Sequence, residues 1–277
     1  SYAVYKRVEQ LNKTHRLDIV DNSLWEYEGL FVKLKLPFLK MVTRIDTTSK
    51  LIAEINSGSN GKNSITQQNE IELYLLYNSD FLVFNSWSIL KETQRLYEIS
   101  FENKMYAVIN HSIKLKQSPA HNPVKKEAFH VLITGRLEKR NGTLLLIKEV
   151  LPVILEKETN FVFHFAGNDN SDWDGFKEEY GCSYTDFMKQ NFDPHINKRI
   201  FLHGFVSDEK LNELYEQADC VLAPSLYESF GLVYLEAVNH NKPLVAIDRG
   251  AVAELFEKDK EVLLASVNKP NEIIDSL

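Results

Sequence analysis

The sequence predicts an α/β protein made of two successive units, each a parallel sheet covered by helices. Short apolar runs alternate with longer runs whose apolar residues recur at helical spacing, and this βαβ rhythm implies parallel strands. The rhythm stops over 114–128 ("KLKQSPAHNPVKKEA"), a polar and aperiodic stretch with two prolines, and then restarts. A length of 277 residues, above that of an average single domain, agrees with two units.

In the first unit, "LDIVD" (17–21), "FLKMVT" (38–43), "DFLVFNS" (80–86) and "YAVIN" (106–110) read as strands. "NEIELYLLYN" (69–78) and "SWSILKETQRLY" (86–97) carry helical periodicity. The polar run 57–68 reads as a mobile surface loop. "VKLKLPFLK" (32–40) has the composition of a membrane-facing basic patch, but a proline followed by an apolar run favours a loop entering a core strand. The expected division is 1–118, a linker at 119–128, and 129–277.

The second unit runs strand 129–135, helix 142–157 with a proline inside its pattern, strand 161–167, an irregular acidic loop, then strands 199–204 and 219–224. Between those two strands, Ser207 is a good N-cap, with Asp208 and Glu209 suited to a first helical turn. A helix over 231–240 and strands 242–248 and 261–266 complete two Rossmann-like units.

Composition narrows the function. A formal net charge of −7 argues against broad nucleic-acid binding and against retention on anionic lipid by charge alone. Cys182 and Cys220 form neither a zinc pattern nor a disulfide framework, and Cys220 in "DCVLAP" reads as an inert buried thiol. No apolar stretch is long enough to span a bilayer, and "SYAVYKRVEQ" is too charged for a signal peptide. The expectation is a cytoplasmic protein, with weak peripheral contact at the inner face of a membrane as the remaining association. The glycosylation patterns at Asn12 and Asn141 carry little weight there. "NDNSDWDG" (168–175) invites a calcium reading, but Gly181 stands where a calcium loop needs its bidentate glutamate, so an acidic surface loop is expected.

In open parallel sheets, ligands bind beyond the carboxyl ends of the strands. Four strands of the second unit end in Gly135-Arg136, Gly167-Asn168-Asp169, Gly204, and Pro224 leading to Glu228. A glycine turn opening onto a helix is an anion site, through free N–H groups and the helix dipole. Each turn alone is ordinary turn chemistry; several on one edge point to a ligand. Arg136 places a permanent cation there, and Lys139 or Arg140 can add a second, although for those two alone a solvated basic turn is the plainer reading. In "SLYESFGLVYLEA" (225–237), Glu228 precedes the helix start at Phe230-Gly231-Leu232, and Glu236 lies about 7 Å along the helix. Two acids would then bracket an anion held by N–H groups. The plainer reading is a capping acid and an exposed helical glutamate, against which stand the apolar neighbours Leu235, Ala237 and Val238.

"GRLEKRNG" (135–142), "FLHGFVSDEKLNELYEQADCVLAPSLYESFGLVYLEA" (201–237) and "KPLVAIDRGAVAEL" (242–255) resemble the retaining, nucleotide-sugar-dependent glycosyltransferases of the GT-B class known as family 4, whose mark is a pair of glutamates eight positions apart. A weaker resemblance upstream includes "PFLKMVTRIDTT" (37–48) and "AVINHSIK" (107–114). The resemblance implies a nucleotide-sugar donor, with UDP the expected nucleotide, an acceptor that is a sugar, lipid-linked or other hydroxyl, retention of anomeric configuration, and no metal or other cofactor. It implies that Arg136, beside Gly135, holds the diphosphate, and that Glu228 contacts hydroxyls of the transferred sugar. The N–H groups of Phe230, Gly231 and Leu232 would stabilise the leaving diphosphate, Glu236 the ribose, and Gly204 to Val206 the base.

Two residues depart from the pattern. Asn141-Gly142 stands where the family has Lys-Gly, so one phosphate cation is missing unless Lys139 or Arg140 swings in. Asp46 stands where a histidine is usual, as an anionic sugar contact or a sign of altered activity. The family's first strands and closing helices have no counterpart here, so the N-terminal domain is expected to be incomplete and catalysis poor. The competing expectation is a catalytically weak binding or scaffold subunit of the same fold.

Overall fold

The computed structural model describes residues 1–57, 67–115 and 127–277, which form two compact units, Ser1–His111 and Ser112–Leu277. The loop expected at 57–68 and the linker expected at 119–128 lie almost wholly outside the described residues.

The first unit holds four parallel strands, β1 (Ile19–Ser23), β2 (Lys40–Ile45), β3 (Phe81–Phe84) and β4 (Tyr106–Val108), adjacent in chain order. In β2, Met41, Thr43 and Ile45 are buried while Lys40 and Arg44 face solvent, the alternation that made the strand visible. Helix Ser49–Ser57 is capped from a distance: both carboxylate oxygens of the buried Glu72 accept the Ser49 N–H, at 3.0 and 3.1 Å, and Glu72 also accepts the Tyr97 hydroxyl. The stretch read as a loop at 32–40 begins inside a short helix, Leu30–Lys35. Val32 is buried there and Lys33 pairs with Asp80 at 2.8 Å.

The second unit is a six-stranded parallel sheet of β5 (Phe129–Thr134), β6 (Phe161–Ala166), β7 (Ile200–Gly204), β8 (Cys220–Ala223), β9 (Leu244–Ile247) and β10 (Leu263–Ala265). Its order is β10-β9-β8-β5-β6-β7, which reverses direction between β5 and β8. That reversal opens a crevice at the strands' carboxyl ends. Val131, Ile133, Phe163 and Phe165 pack on one face of the sheet, while Leu132, Ala166, Val221 and Ala223 pack on the other.

The proline expected inside a helix is accommodated by a change of winding. Residues Thr143–Leu145 are α-helical, Leu146–Val150 form a π turn, and Leu151–Lys157 resume with Pro152 in the first turn. Proline lacks an N–H and crowds the carbonyl four residues back, so a wider turn just before it relieves both conflicts.

The acidic stretch expected to be irregular instead contains helices Phe176–Tyr180, Tyr184–Asn191 and Pro194–Asn197. Its carboxylates serve the backbone. Asp174 accepts the Lys139 and Phe176 N–H groups at 2.6 and 3.0 Å and the Tyr184 hydroxyl at 2.6 Å. Asp169 accepts the Ser171 and Thr185 N–H groups at 3.1 and 2.8 Å. Among the described residues, no helix is long and apolar enough to cross a membrane.

Candidate active site

The loops after β5 and β8 meet at the reversal. Gly142 makes this possible: its φ is +75°, and a β-carbon there would overlap the Pro224 carbonyl. Arg140 ties the loops together. Its carbonyl accepts the Leu226 N–H at 2.8 Å, and its guanidinium donates to the Tyr227 carbonyl at 3.3 Å. Gly231, at φ +83°, ends the second loop and precedes helix Leu232–Asn239.

A cleft of about 390 Å³ lies over this junction. It is lined by Gly135, Arg136, Arg140, Asn141, Gly167, Phe205, Val206, Glu228, Gly231, Leu232 and Glu236, all within segments singled out from the sequence, and also by Thr134, Leu211 and Asp208, the last expected only in a first helical turn. Arg136 and Arg140 share one acid, Glu138, whose Oε1 lies 3.4 and 2.9 Å from their terminal nitrogens. Lys139 is not among the lining residues: its ammonium pairs with Glu179 at 2.7 Å. Of the two cations offered for the missing lysine, the cleft therefore receives Arg140. Asn141 donates to the Arg136 carbonyl at 2.9 Å, fixing the turn, while its buried Oδ1 has no partner among the described residues.

The two glutamates sit in different surroundings. Glu228 accepts the Ser225 hydroxyl at 2.9 Å, and its backbone carbonyl accepts the Ala251 N–H, also at 2.9 Å. Burial raises its carboxyl above the usual range, opposed by Arg140 and the Ser225 hydrogen bond. Glu236, one turn into the helix, accepts the Tyr215 hydroxyl at 2.8 Å. Burial, with the Glu236 charge, keeps Tyr215 a phenol. Tyr215 also meets Thr134 Oγ1 at 3.3 Å, tying the helix back to β5.

Phe230 contributes no ring to the cleft; its side chain is buried. Phe205 is 81% exposed although it lines the cleft, presenting an aromatic face at the rim. Sequence reasoning missed Ser225, Tyr215 and Tyr234, whose buried hydroxyl lies near Glu228 and has no partner among the described residues. The spacing of Thr134, Tyr215 and Glu236 along the chain gives no hint of their contact.

Asp46 belongs to the first unit. It follows β2 and accepts the Asn85 amide at 3.0 Å, with His111 Nε2 at 3.3 Å. Asn110 donates to the Asn85 carbonyl at 2.8 Å, so residues following β2, β3 and β4 gather there. Asn85, Asn110 and His111 were not singled out in sequence.

A parallel sheet that reverses at a cleft holding two arginines, with a helix start between two acids, defines a Rossmann-like unit. Residues 128–277 match the family described as glycosyl transferases group 1, and the chain belongs to that family. An uncharacterized glycosyltransferase of Methanocaldococcus jannaschii is 31% identical over 150 residues, covering 54% of this chain and 35% of that protein. The poly(ribitol-phosphate) α-N-acetylglucosaminyltransferase of Staphylococcus aureus is 24% identical over 208 residues, 74% of this chain and 38% of that protein. The chain thus spans little more than a third of the length of these relatives. Among solved structures, the sucrose-phosphate synthase of Thermosynechococcus elongatus superposes with a TM-score of 0.77 at 17% identity, over 98% of this chain and 66% of that one. The Anabaena protein HepE in complex with UDP and glucose gives 0.71 at 17% identity, over 99% and 70%. The fold is that of the GT-B glycosyltransferases.

Proposed function

We propose that the cleft binds a nucleoside diphosphate sugar, UDP-linked, and that the protein to which the chain belongs transfers the sugar to an acceptor hydroxyl with retention and without a metal ion. One observation carries the reading: the start of helix Leu232–Asn239 lies between Glu228 and Glu236 in a cleft that also holds Arg136 and Arg140.

Breaking a glycosyl phosphate bond leaves charge on the phosphate. The N–H groups at Phe230 to Leu232 and the two guanidinium groups would be fixed before the reaction, so they lower the barrier without reorganisation. Glu228 meets hydroxyls of the transferred sugar. Glu236, oriented by Tyr215, receives the ribose. Phe205 offers its exposed ring to the base. UDP as nucleotide is supported by the HepE structure, and a hydroxyl-bearing acceptor by the name of the S. aureus relative, which acts on poly(ribitol-phosphate). An acceptor that is a sugar, lipid-linked or other hydroxyl is in keeping with both.

Calorimetry with UDP, GDP and ADP tests the reading on the full-length protein, followed by release of nucleoside diphosphate from a donor panel with and without chelator. UDP binding with chelator-resistant turnover is expected. Failure of every nucleotide to bind overturns it. Nucleotide binding without turnover favours a scaffold subunit, a reading favoured by Asn141 at the lysine position and by Lys139 being held on Glu179.

A further inference from the structure

Three histidines on neighbouring strands form a continuous ladder beneath the cleft rim. His130 on β5, His164 on β6 and His203 on β7 lie on one face of the sheet, with Nδ1 of His130 2.9 Å from Nε2 of His164 and Nδ1 of His164 3.0 Å from Nε2 of His203. The rings stack at 5.2 and 5.3 Å, tilted by 23° and 13°. Each contact requires one N–H and one lone pair, which three neutral imidazoles supply with a consistent run of tautomers; one added proton still leaves a donor and an acceptor at each contact, so what opposes it is the partial burial of the rings.

The far end of the ladder holds an irregularity in the sheet. Phe165 pairs with Leu202 but Ala166 pairs with Gly204, so His203 is an extra residue with no Cα partner. Such a bulge bends its strand and re-aims the residues beyond it. Those residues are Gly204, whose carbonyl accepts the Gly167 N–H at 2.9 Å, and then Phe205 and Val206, which line the cleft. The near end is anchored where Asp219 accepts the His130 backbone N–H at 2.8 Å.

We infer that the ladder is a positioning device: in its neutral form it pins the bulge at His203 and so the Phe205–Val206 rim, and proton uptake releases the rim and weakens nucleotide binding. This rests on reading the cleft as the nucleotide site. The histidines touch no ligand; they act through Gly204 to Val206.

The groups facing the ladder set the direction. His164 is flanked by the two other imidazoles, by the Phe201 ring at 5.1 Å, and by Lys210 of helix Asp208–Gln217, whose ammonium is held by Glu213 at 2.9 Å. Burial, the two imidazoles and Lys210 lower His164 to about 4, and burial and Lys210 lower His203 as well. A histidine whose folded value lies below its ordinary 6.5 is neutral in the fold. Its stabilising contribution is complete above that ordinary value and is lost as pH falls from there towards 4.

The test is UDP titration of the whole chain from about pH 7.5 down to about pH 5, comparing wild type with His164→Phe, which keeps the ring stack but removes both contacts and the central titrating ring. Wild-type affinity is expected to fall by about fivefold more than the variant's, whose affinity is already reduced at the upper pH. The phosphate of UDP titrates alike for both proteins, so parallel curves overturn the inference. His203→Asn, at the bulge itself, replaces His164→Phe if the latter does not fold. Imidazole NMR of the wild type decides independently of nucleotide. Coupled titration of the three rings with shifts at Gly204 to Val206 supports the device; three independent titrations near the ordinary value overturn it. If wild type binds no UDP at the upper pH, the nucleotide reading fails, and the NMR result alone judges the ladder.

Discussion

Glu228 and Glu236 line one cleft but are held differently, Glu236 by the Tyr215 hydroxyl and Glu228 by the Ser225 hydroxyl. Their substitutions should therefore separate. Glu236→Ala is expected to weaken UDP about tenfold, the cost of one hydrogen bond to a charged group. Glu228→Ala should leave UDP affinity within about twofold while transfer falls by on the order of a hundredfold, as for a group engaged in the reacting sugar. Calorimetry and product release decide, and equal loss of UDP binding in both contradicts the split. The neighbouring cations separate in another way. Glu138 and Arg140 are only 10% and 14% exposed in their side chains, so Arg140→Met leaves a buried acid its longer 3.4 Å pair with Arg136 and should cost about 2 kcal/mol in denaturant unfolding. Lys139→Met loses a pair whose acid, Glu179, is 54% exposed, and should cost less than about 1 kcal/mol. The two residues are adjacent and chemically alike in sequence. Their fates differ because Glu179 and Glu138 draw them apart, and Glu179 reaches Lys139 only once the acidic stretch has folded into helices. That is why the cleft acids were legible in advance and the choice between Lys139 and Arg140 was not.

At the scale of elements, local pattern revealed what local pattern determines. Of the ten strands described, eight fall within the apolar runs expected for them and β1 and β2 overlap theirs but run two residues further, because alternation and β-branched content act over a few residues. Helix Tyr2–His15 escaped notice because it is polar around most of its circumference, with only Tyr5 buried. The helices of the acidic stretch escaped because they are short and, although Ser183 caps Tyr184–Asn191 locally, lean on distant partners: the Thr185 N–H is met by Asp169, and Phe176 at the head of its own helix stacks on Tyr184 at 3.8 Å. The junction of the loops after β5 and β8 is likewise tertiary, and one atom tests it. Gly142→Ala puts a methyl group into the Pro224 carbonyl at a left-handed backbone, so the helix start must move away from β8. Gly175→Ala has the same φ of +75° with open space around it. The second should cost about 1 kcal/mol of conformational strain and the first at least about 2 kcal/mol more, with weakened UDP binding. Equal unfolding midpoints for the two variants would show that the junction yields without cost.

The whole molecule divides into units with separate sheets, and the division makes a functional statement. Every residue lining the cleft falls between Thr134 and Glu236, inside Ser112–Leu277, and that unit has a buried core on each face of its own six-stranded sheet. Asp46, with Asn85 and His111, lies in the other unit. Nucleotide recognition should therefore survive separation. The segment Ser112–Leu277 expressed alone is expected to unfold in one transition and to bind UDP within about twofold of the whole chain's affinity. At a hundredfold excess over its dissociation constant, UDP should stabilise this segment by about 2.7 kcal/mol, raising its melting temperature by about 5–10 °C. The companion segment Ser1–His111, if it folds, should show no shift with UDP. A segment Ser112–Leu277 that folds but binds UDP more than about tenfold more weakly would mean that the first unit supplies part of the nucleotide's binding energy. The two glutamates, two arginines and helix start would then be necessary to the site without being sufficient for it.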